Sequence, residues 1–304
     1  MKMSSGFLRH LFNGALIVVL LQGCVKENSD KSSEQDKEAF VEASSEADDE
    51  AQGIFDNVFN DVMGVNEEVG LGNTGIFGGA NQNSLEGELI NTRSLLDSNH
   101  CFTLTITKLT GAAFPVKVVL DFGEGCIGRD GIKRKGKVIT EYTNRLTIPG
   151  AVAATRFEGY SVNDVRVEGT HKISNRSTQD RRIFHILITN ARLSHPNGNF
   201  VLWNSEKSLT QVEGLGTPFY AKDDVFEIAG AANGSVKKGD RYFQWATLII
   251  EPLIKKFTCR WIVKGIISIR KNDAQVALVN YGTGTCDNKA TITVNGQTRE
   301  ITLH

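Results

Sequence analysis

Residues 291–301 read Thr-Ile-Thr-Val-Asn-Gly-Gln-Thr-Arg-Glu-Ile. Two alternating runs, Thr291-Ile-Thr-Val294 and Thr298-Arg-Glu-Ile301, flank the dipeptide Asn295-Gly296. Alternation at period two lays one face of a strand on a core, and Asn-Gly tolerates positive φ at both centres of a two-residue turn. The stretch is a β-hairpin, and the chain back to Cys101 repeats its grammar. Further strands are predicted at 101–108, 116–122, 137–146, 156–162, 165–173, 182–193, 200–209, 242–250, 260–269, 275–281, 290–294 and 298–303. Asn163-Asp164, Asn197-Gly198 and Asn272-Asp273 supply further two-residue turns. Tight hairpins in series make neighbours antiparallel. About a dozen strands do not lie comfortably in one open, twisted sheet. The expected fold is therefore all-β: a long antiparallel meander curled into a barrel-like or two-layer sheet, preceded by one N-terminal amphipathic helix.

Before the strands the pattern changes. Phe40, Ala43, Ala47, Ala51, Ile54, Phe55, Val58, Phe59 and Val62 fall near three-to-four spacing, which predicts an amphipathic helix over 36–64. Residues 24–35 are polar and read as a tether. Residues 65–95 read as a Gly/Asn-rich linker and 96–304 as the β domain. Charge is divided along the chain: residues 25–70 hold fourteen acidic and three basic side chains, 71–304 twenty-one and twenty-nine. An acidic helix thus precedes a basic body, and its apolar side is expected to dock there.

The first residues carry an address. Lys2, Arg9 and His10 give a positive start, an apolar stretch covers 11–21, and Leu21-Gln22-Gly23-Cys24 follows. Such a charged start and short apolar core form an export signal, here residues 1–23, and the core is too short to span a bilayer. The Leu-x-Gly-Cys ending resembles the bacterial lipobox. In that resemblance Leu21 and Gly23 serve signal recognition, the chain is cut after Gly23, and Cys24 is lipidated. Several acyl chains anchor firmly, at about 0.8 kcal/mol per buried CH₂. Val25 follows Cys24, where an Asp would resemble an inner-membrane retention signal, so an outer-membrane location is expected, on the periplasmic face or the cell surface. Lys26-Glu27-Asn28-Ser29-Asp30 also resembles the Lys-plus-acidic export tag of Bacteroidota surface lipoproteins.

The β body contains an internal echo. Asp121-Phe-Gly-Glu-Gly-Cys126 resembles Asn280-Tyr-Gly-Thr-Gly-Thr-Cys286, and each run ends a hairpin that a cysteine opens, Cys101 in the first and Cys259 in the second. Apart from Cys24 these are the four cysteines of the chain. An even set in an exported protein fits two disulfides, with three possible connectivities. Cys101–Cys126 with Cys259–Cys286, each closing its own hairpin, is the expected one. With Asn272-Asp273 as the turn, simple register puts Cys259 opposite Cys286; the first pair needs a bulge at Gly123 or Gly125. The runs DFGEGC, KRKGKVITEYT, VEGTHKISN and CDNKATITVNGQTREITL resemble a group of uncharacterised Bacteroidota outer-membrane or surface lipoproteins, over roughly 95–304. The resemblance implies location and architecture, and it brings no catalytic residues.

Searched for chemistry, the sequence yields little. The histidines His100, His171, His185, His195 and His304 stand apart, without H-E-x-x-H or H-x-H pairing. His185 lies in an apolar run and reads as a core residue. Asp121, Glu124 and Asp130 are close in a Gly-rich loop but lack the ordered calcium-loop pattern. Four scattered cysteines without Cys-x-x-Cys spacing do not read as a zinc site. No nucleophile elbow, P-loop or dinucleotide fingerprint is present. The basic residues Arg129, Lys133, Arg134, Lys135 and Lys137 read as strand-edge charges that discourage aggregation rather than as a nucleic-acid stripe. Trp261 alternates with Val263 and Ile267 and reads as core, whereas Phe219 and Tyr220 follow a Gly-Pro loop as a possible ligand-stacking pair.

No catalytic residue, metal ligand or cofactor is therefore assigned. The expected partners are the membrane, through the lipid on Cys24, and a glycan or envelope protein; no nucleic acid is expected. Three functions stand: a non-enzymatic binding or structural envelope module, a carrier of apolar ligands within the curled sheet, and a glycan-active hydrolase.

Overall fold

The computed structural model describes residues 25–63 (side chains from residue 34), 101–217 and 223–303. Leu21, Gly23, Cys24, the 65–95 linker and the pair Phe219-Tyr220 lie outside the described residues. One helix, α1 (Val25–Met63), precedes the strands β1 (Thr103–Lys108), β2 (Val116–Asp121), β3 (Cys126–Ile127), β4 (Lys133–Tyr142), β5 (Val152–Val162), β6 (Val165–Asn175) and β7 (Ile183–Ser194). They continue with β8 (Phe200–Glu213), β9 (Val225–Lys238), β10 (Arg241–Lys256), β11 (Ile262–Lys271), β12 (Ala274–Thr283), β13 (Lys289–Val294) and β14 (Gln297–Thr302). All fourteen join one sheet in chain order, except that β3 pairs with the start of β4 off the main path. This is the all-β antiparallel meander that the turns predict. The sheet does not close into a barrel: β1 and β14 remain its two edges.

Two compact units divide the chain, residues 1–37 and 38–304. In the first, α1 is helical from Val25, so the helix starts inside the polar stretch rather than at Asp36. In the second, the rest of α1 and the sheet share one hydrophobic core. Phe40 meets Phe243 of β10 edge-on at 6.1 Å, and Phe59 stacks on Phe257 at 6.2 Å. Phe55 lies against Phe157 of β5, His171 of β6 and Trp203 of β8, with centroids 5.8–6.2 Å apart. The Tyr142 hydroxyl of β4 donates to the Val62 carbonyl at 2.9 Å. One rod touches β4, β5, β6, β8 and β10, so the sheet wraps around it. No residue of 47–63 is exposed.

Curling has local causes. Register shifts recur at mid-strand from pair to pair, at Lys135/Lys137, Arg156/Ser161, Glu168/Thr170, Ile188/Ala191 and Leu248/Leu253. Each such irregularity bends its strand and raises the local twist. At the first, Gly136 and Gly159 approach so closely that a Cβ on Gly136 would strike the Gly159 carbonyl.

Three of the predicted two-residue turns form with both central residues at positive φ: Asn163-Asp164, Asn272-Asp273 and Asn295-Gly296. The fourth is longer. At Asn197-Gly198 only the glycine has positive φ, and the His195 amide closes the loop on the Asn199 carbonyl at 2.9 Å.

The sequence pattern missed β9. Its middle, Ala229-Gly-Ala-Ala-Asn-Gly234, has little strand propensity. The structure explains the small residues: a Cβ on Gly234 would lie 2.6 Å from the Trp245 ring. The indole occupies the space that a larger β9 side chain would need.

Candidate functional site

The helix that fills the sheet carries buried charge. Asp48 Oδ1 accepts from Trp203 Nε1 at 2.9 Å, from Trp245 Nε1 at 3.2 Å and from Thr247 Oγ1 at 3.4 Å. A carboxylate 6% exposed costs several kcal/mol of desolvation unless donors surround it. Three donors from β8 and β10 therefore fix the helix in register. Lys207 Nζ reaches Gln52 Oε1 and lies 5.6 Å above the Trp203 ring. Burial pulls the Lys207 pKa down against the opposing pull of Asp48 and Asp56. Lys255, more deeply buried at 5% exposure, donates to the Arg260 carbonyl at 2.6 Å, and burial lowers its pKa against Asp56. The acidic helix and basic body of the sequence thus meet inside the fold.

Alongside the helix runs a groove of about 780 Å³. One wall is the flank of α1 from Ala43 to Asn60; the other is a row of hairpin ends, with Asp130, Asn163, Asn197, Asn199, Lys237 and Arg260 among the lining. Two contacts cross it, the ion pair Glu46–Lys238 at 2.7 Å and the approach of Glu50 to His195 Nε2 at 3.2 Å. Asp130 is turned toward Arg134, which donates to both of its oxygens at 3.0 and 2.7 Å. Arg134 is 1% exposed; burial alone would lower its pKa, but the Asp130 bonds and the charge of Asp61 keep it raised.

The cysteines come together in the expected pairs. Cys101–Cys126 and Cys259–Cys286 stand at disulfide distance, with Cα atoms 5.6 and 5.7 Å apart. The route to the second pair is a correction. β11 and β12 shift register between Ile269 and Arg270 and again between Lys264 and Ile266, so Cys259 lies beyond the ladder in the β10–β11 turn. The first pair uses the glycines, with Gly123 and Gly125 both at positive φ after β2 ends.

The loop carboxylates do not converge on a cation position. Asp121 pairs with Lys137, Glu124 with Lys135 and Asp130 with Arg134. The same pairs, with Lys133–Asp164 at 2.7 Å, give acidic partners to Lys133, Arg134, Lys135 and Lys137 of the basic run. Among the described residues no group of three or more His, Cys, Asp or Glu could hold a metal.

His185 is half-buried rather than fully enclosed, and it bonds the exposed Glu206 at 2.8 Å. The fully enclosed histidine lies elsewhere. That histidine is His171, 1% exposed, stacked on Phe55, with neither ring nitrogen hydrogen-bonded in the protein. Burial lowers its pKa to about 3, so it is neutral. Polar neighbours in VEGTHKISN hid it. Trp261 is half-buried, whereas Trp203 and Trp245 are core residues that bind the helix.

No known family profile matches the chain, and neither curated proteins nor solved structures show a significant similarity to it.

Proposed function

We propose that this chain is a lipid-anchored envelope protein of the outer membrane that works as a non-enzymatic binding or structural module. Acyl chains on Cys24 hold it, facing the periplasm or the cell surface. The observation that supports this most is the continuity of address and core. Cys24 directly precedes α1 (Val25–Met63), and residues 38–63 of that helix fill the curled sheet. One element links the anchor position to the part that makes the body rigid. Such a body suits the presentation of a fixed surface, and the groove beside the helix is the surface it offers.

A carrier of apolar molecules would need the concave face of the sheet, which Phe40, Phe55, Val58 and Phe59 occupy. A glycan-active hydrolase would need carboxylates poised as acid and base. Of the acids that line the groove, Glu46 and Asp130 are instead engaged by Lys238 and Arg134, and Glu50 by the His195 ring.

Labelling with radioactive palmitate in a lipoprotein-processing host tests the anchor. The full chain takes up label and sediments with membranes, and Cys24→Ala does neither. An unlabelled wild-type chain would end the proposal. Protease shaving of intact cells separates the two orientations.

A further inference from the structure

We infer that the groove between α1 and the hairpin ends binds a neutral, extended oligosaccharide. This rests on the reading of the groove as the working surface, and it names the ligand class.

Length comes first. The helical wall from Ala43 to Asn60 runs for about 25 Å at about 1.5 Å per residue, long enough for several linked rings.

The second argument is the orientation of donors. Asn163 Oδ1 accepts the Lys133 amide at 3.1 Å, Asn197 Oδ1 the Asn199 amide at 3.0 Å, and Asn199 Oδ1 the Gly239 amide at 2.9 Å. These bonds assign oxygen and nitrogen in each carboxamide. They leave the Nδ2 groups of three lining residues, on the tips of β5–β6 and β7–β8, as pre-oriented donors. Across from the β7–β8 tip the helical wall presents Glu50 and Glu46, and farther along the same wall Asp56, Asn57 and Asn60 line the groove, Asn60 Oδ1 buried with no partner in the protein. Fixed donors opposite acceptors bracket hydroxyl groups, which both give and take hydrogen bonds.

Charge narrows the class. The lining carries Glu46, Asp49, Glu50, Asp56 and Asp130 against Lys237, Lys238 and Arg260, with Glu46 paired to Lys238. With acids in excess along the walls, a polyanion gains no net attraction.

Geometry argues against an extended peptide. A peptide that binds by strand addition needs a free sheet edge. The two edges, β1 and β14, contribute no residue to the groove. Meanwhile half-buried Val165 and Phe200, whose ring carries the Arg192 guanidinium at 4.1 Å, supply apolar ground for the C–H faces of sugar rings.

The test is affinity electrophoresis of the full-length protein in detergent, through gels containing dextran, mannan, xylan, polygalacturonate or unfolded casein. At least one neutral polysaccharide should retard it. The triple variant Asn163→Asp/Asn197→Asp/Asn199→Asp keeps each turn-closing oxygen and removes each donor. It should melt as the wild type does and lose binding at least ~10-fold, the value of two or three net hydrogen bonds. A second variant, Asn60→Leu, removes an acceptor from the helical wall and should weaken binding without touching the turns. No retardation by any neutral polysaccharide overturns the inference. Retardation by polygalacturonate alone, or by casein alone, overturns it in favour of an anionic ligand or a peptide. Binding that both variants retain in full overturns the location. Palmitate labelling is independent of all these outcomes, so failure here leaves the envelope reading to its own test.

Discussion

The two cysteine hairpins carry one device in two surroundings. In the first, Asp121 Oδ1 accepts the Gly123 amide at 2.9 Å, and Gly123 and Gly125 lie at φ 56° and 123°. In the second, Asn280 Oδ1 accepts the Gly282 amide at 2.8 Å, and Gly282 and Gly284 lie at φ 87° and 121°. Each side-chain turn leads to a cysteine that returns to the start of its hairpin. The echo in sequence is thus an echo in backbone, as an old duplication would leave. Surroundings differ. The first hairpin supplies the sheet edge, since β1 pairs with β2 alone, and it leans on the buried Arg134–Asp130 pair. The second is flanked by β10 and β13, and the ion pair beside it, Lys289–Glu300, is exposed. One motif therefore serves as a border in one place and as an inner panel in the other.

Breaking the disulfides sharpens this contrast most. The closed loops have separations of 25 and 27 residues, so chain entropy assigns each bridge about the same value, roughly 3.5 kcal/mol. The paired Ser variants should nonetheless fail differently. Without Cys101–Cys126, hydrogen exchange should speed up chiefly in β1 and β2, because an edge can open alone. Without Cys259–Cys286, thermal unfolding of the whole sheet should move down. Equal global losses would show that the edge hairpin is not a separable unit.

Arg134→Met is next. It removes one partner of a buried ion pair and leaves Asp130 against the groove wall. The expected cost is about 3 kcal/mol, the lower end for such a deletion, because Asp130 keeps some access to water. Chemical denaturation measures it. Lys289→Met, beside the second hairpin, should change stability by less than about 1 kcal/mol.

Smaller still are the turn residues. Asp121→Ala and Asn280→Ala each delete a side-chain bond to a backbone amide, worth about 1 kcal/mol. Only the first should depend on pH. The Lys137 bond, and then the Gly123 amide, hold the Asp121 carboxyl below its ordinary value of 3.8. A lowered carboxylate pKa adds stability that is present above the unfolded value and lost as pH falls toward the folded one. The difference between wild type and Asp121→Ala should therefore begin to shrink below about pH 4 and fall further as pH passes through the lowered folded value, while that of Asn280→Ala stays unchanged.

The sheet was legible because its signals are local. Alternation marks strands, and Asn-Asp or Asn-Gly marks turns whatever lies around them. The disulfide pairing was legible through the echo. What escaped depends on distant residues. β9 is small because Trp245 stands over Gly234, which no window of sequence reveals. Helical spacing in 36–64 shows an apolar side but not that a sheet would surround it. Asp48 needs Trp203, Trp245 and Thr247, some two hundred residues or fewer away. The basic run 129–137 read as strand-edge charge, but the acids that pair with it are scattered along the chain, Asp164 on the β5–β6 turn among them. The groove joins five separate hairpin ends to the helix, so its lining has no linear signature at all.

The smallest effect tests the residue at the centre of each device, Phe122 in the first hairpin and Tyr281 in the second. Near neutral pH, Tyr281→Phe should change stability by no more than about 0.5 kcal/mol, since the ring stays and only a hydroxyl is lost. At high pH the hairpins part company. Burial, and then the charges of Asp49, Asp48 and Asp56, push the Tyr281 pKa well above its ordinary value of 10. The unfolded chain then releases the proton before the folded one does. The stability tied to the protonated hydroxyl is present below about pH 10 and declines as pH rises beyond it. Tyr142 and Tyr160 are raised by burial as well, so the wild type loses stability in alkali by more than one route. The quantity that isolates Tyr281 is the difference between wild type and Tyr281→Phe, followed by denaturant unfolding from pH 8 to 11. It should grow in favour of the variant above pH 10. Phe122→Tyr asks the same of the first hairpin, where buried Arg134 lies 5.9 Å from the ring and favours an ionised hydroxyl. Its alkaline loss should be the smaller. Identical alkaline slopes for the two hydroxyls would mean that the helix acids do not reach the second hairpin, and the contrast between border and inner panel would then rest on packing alone.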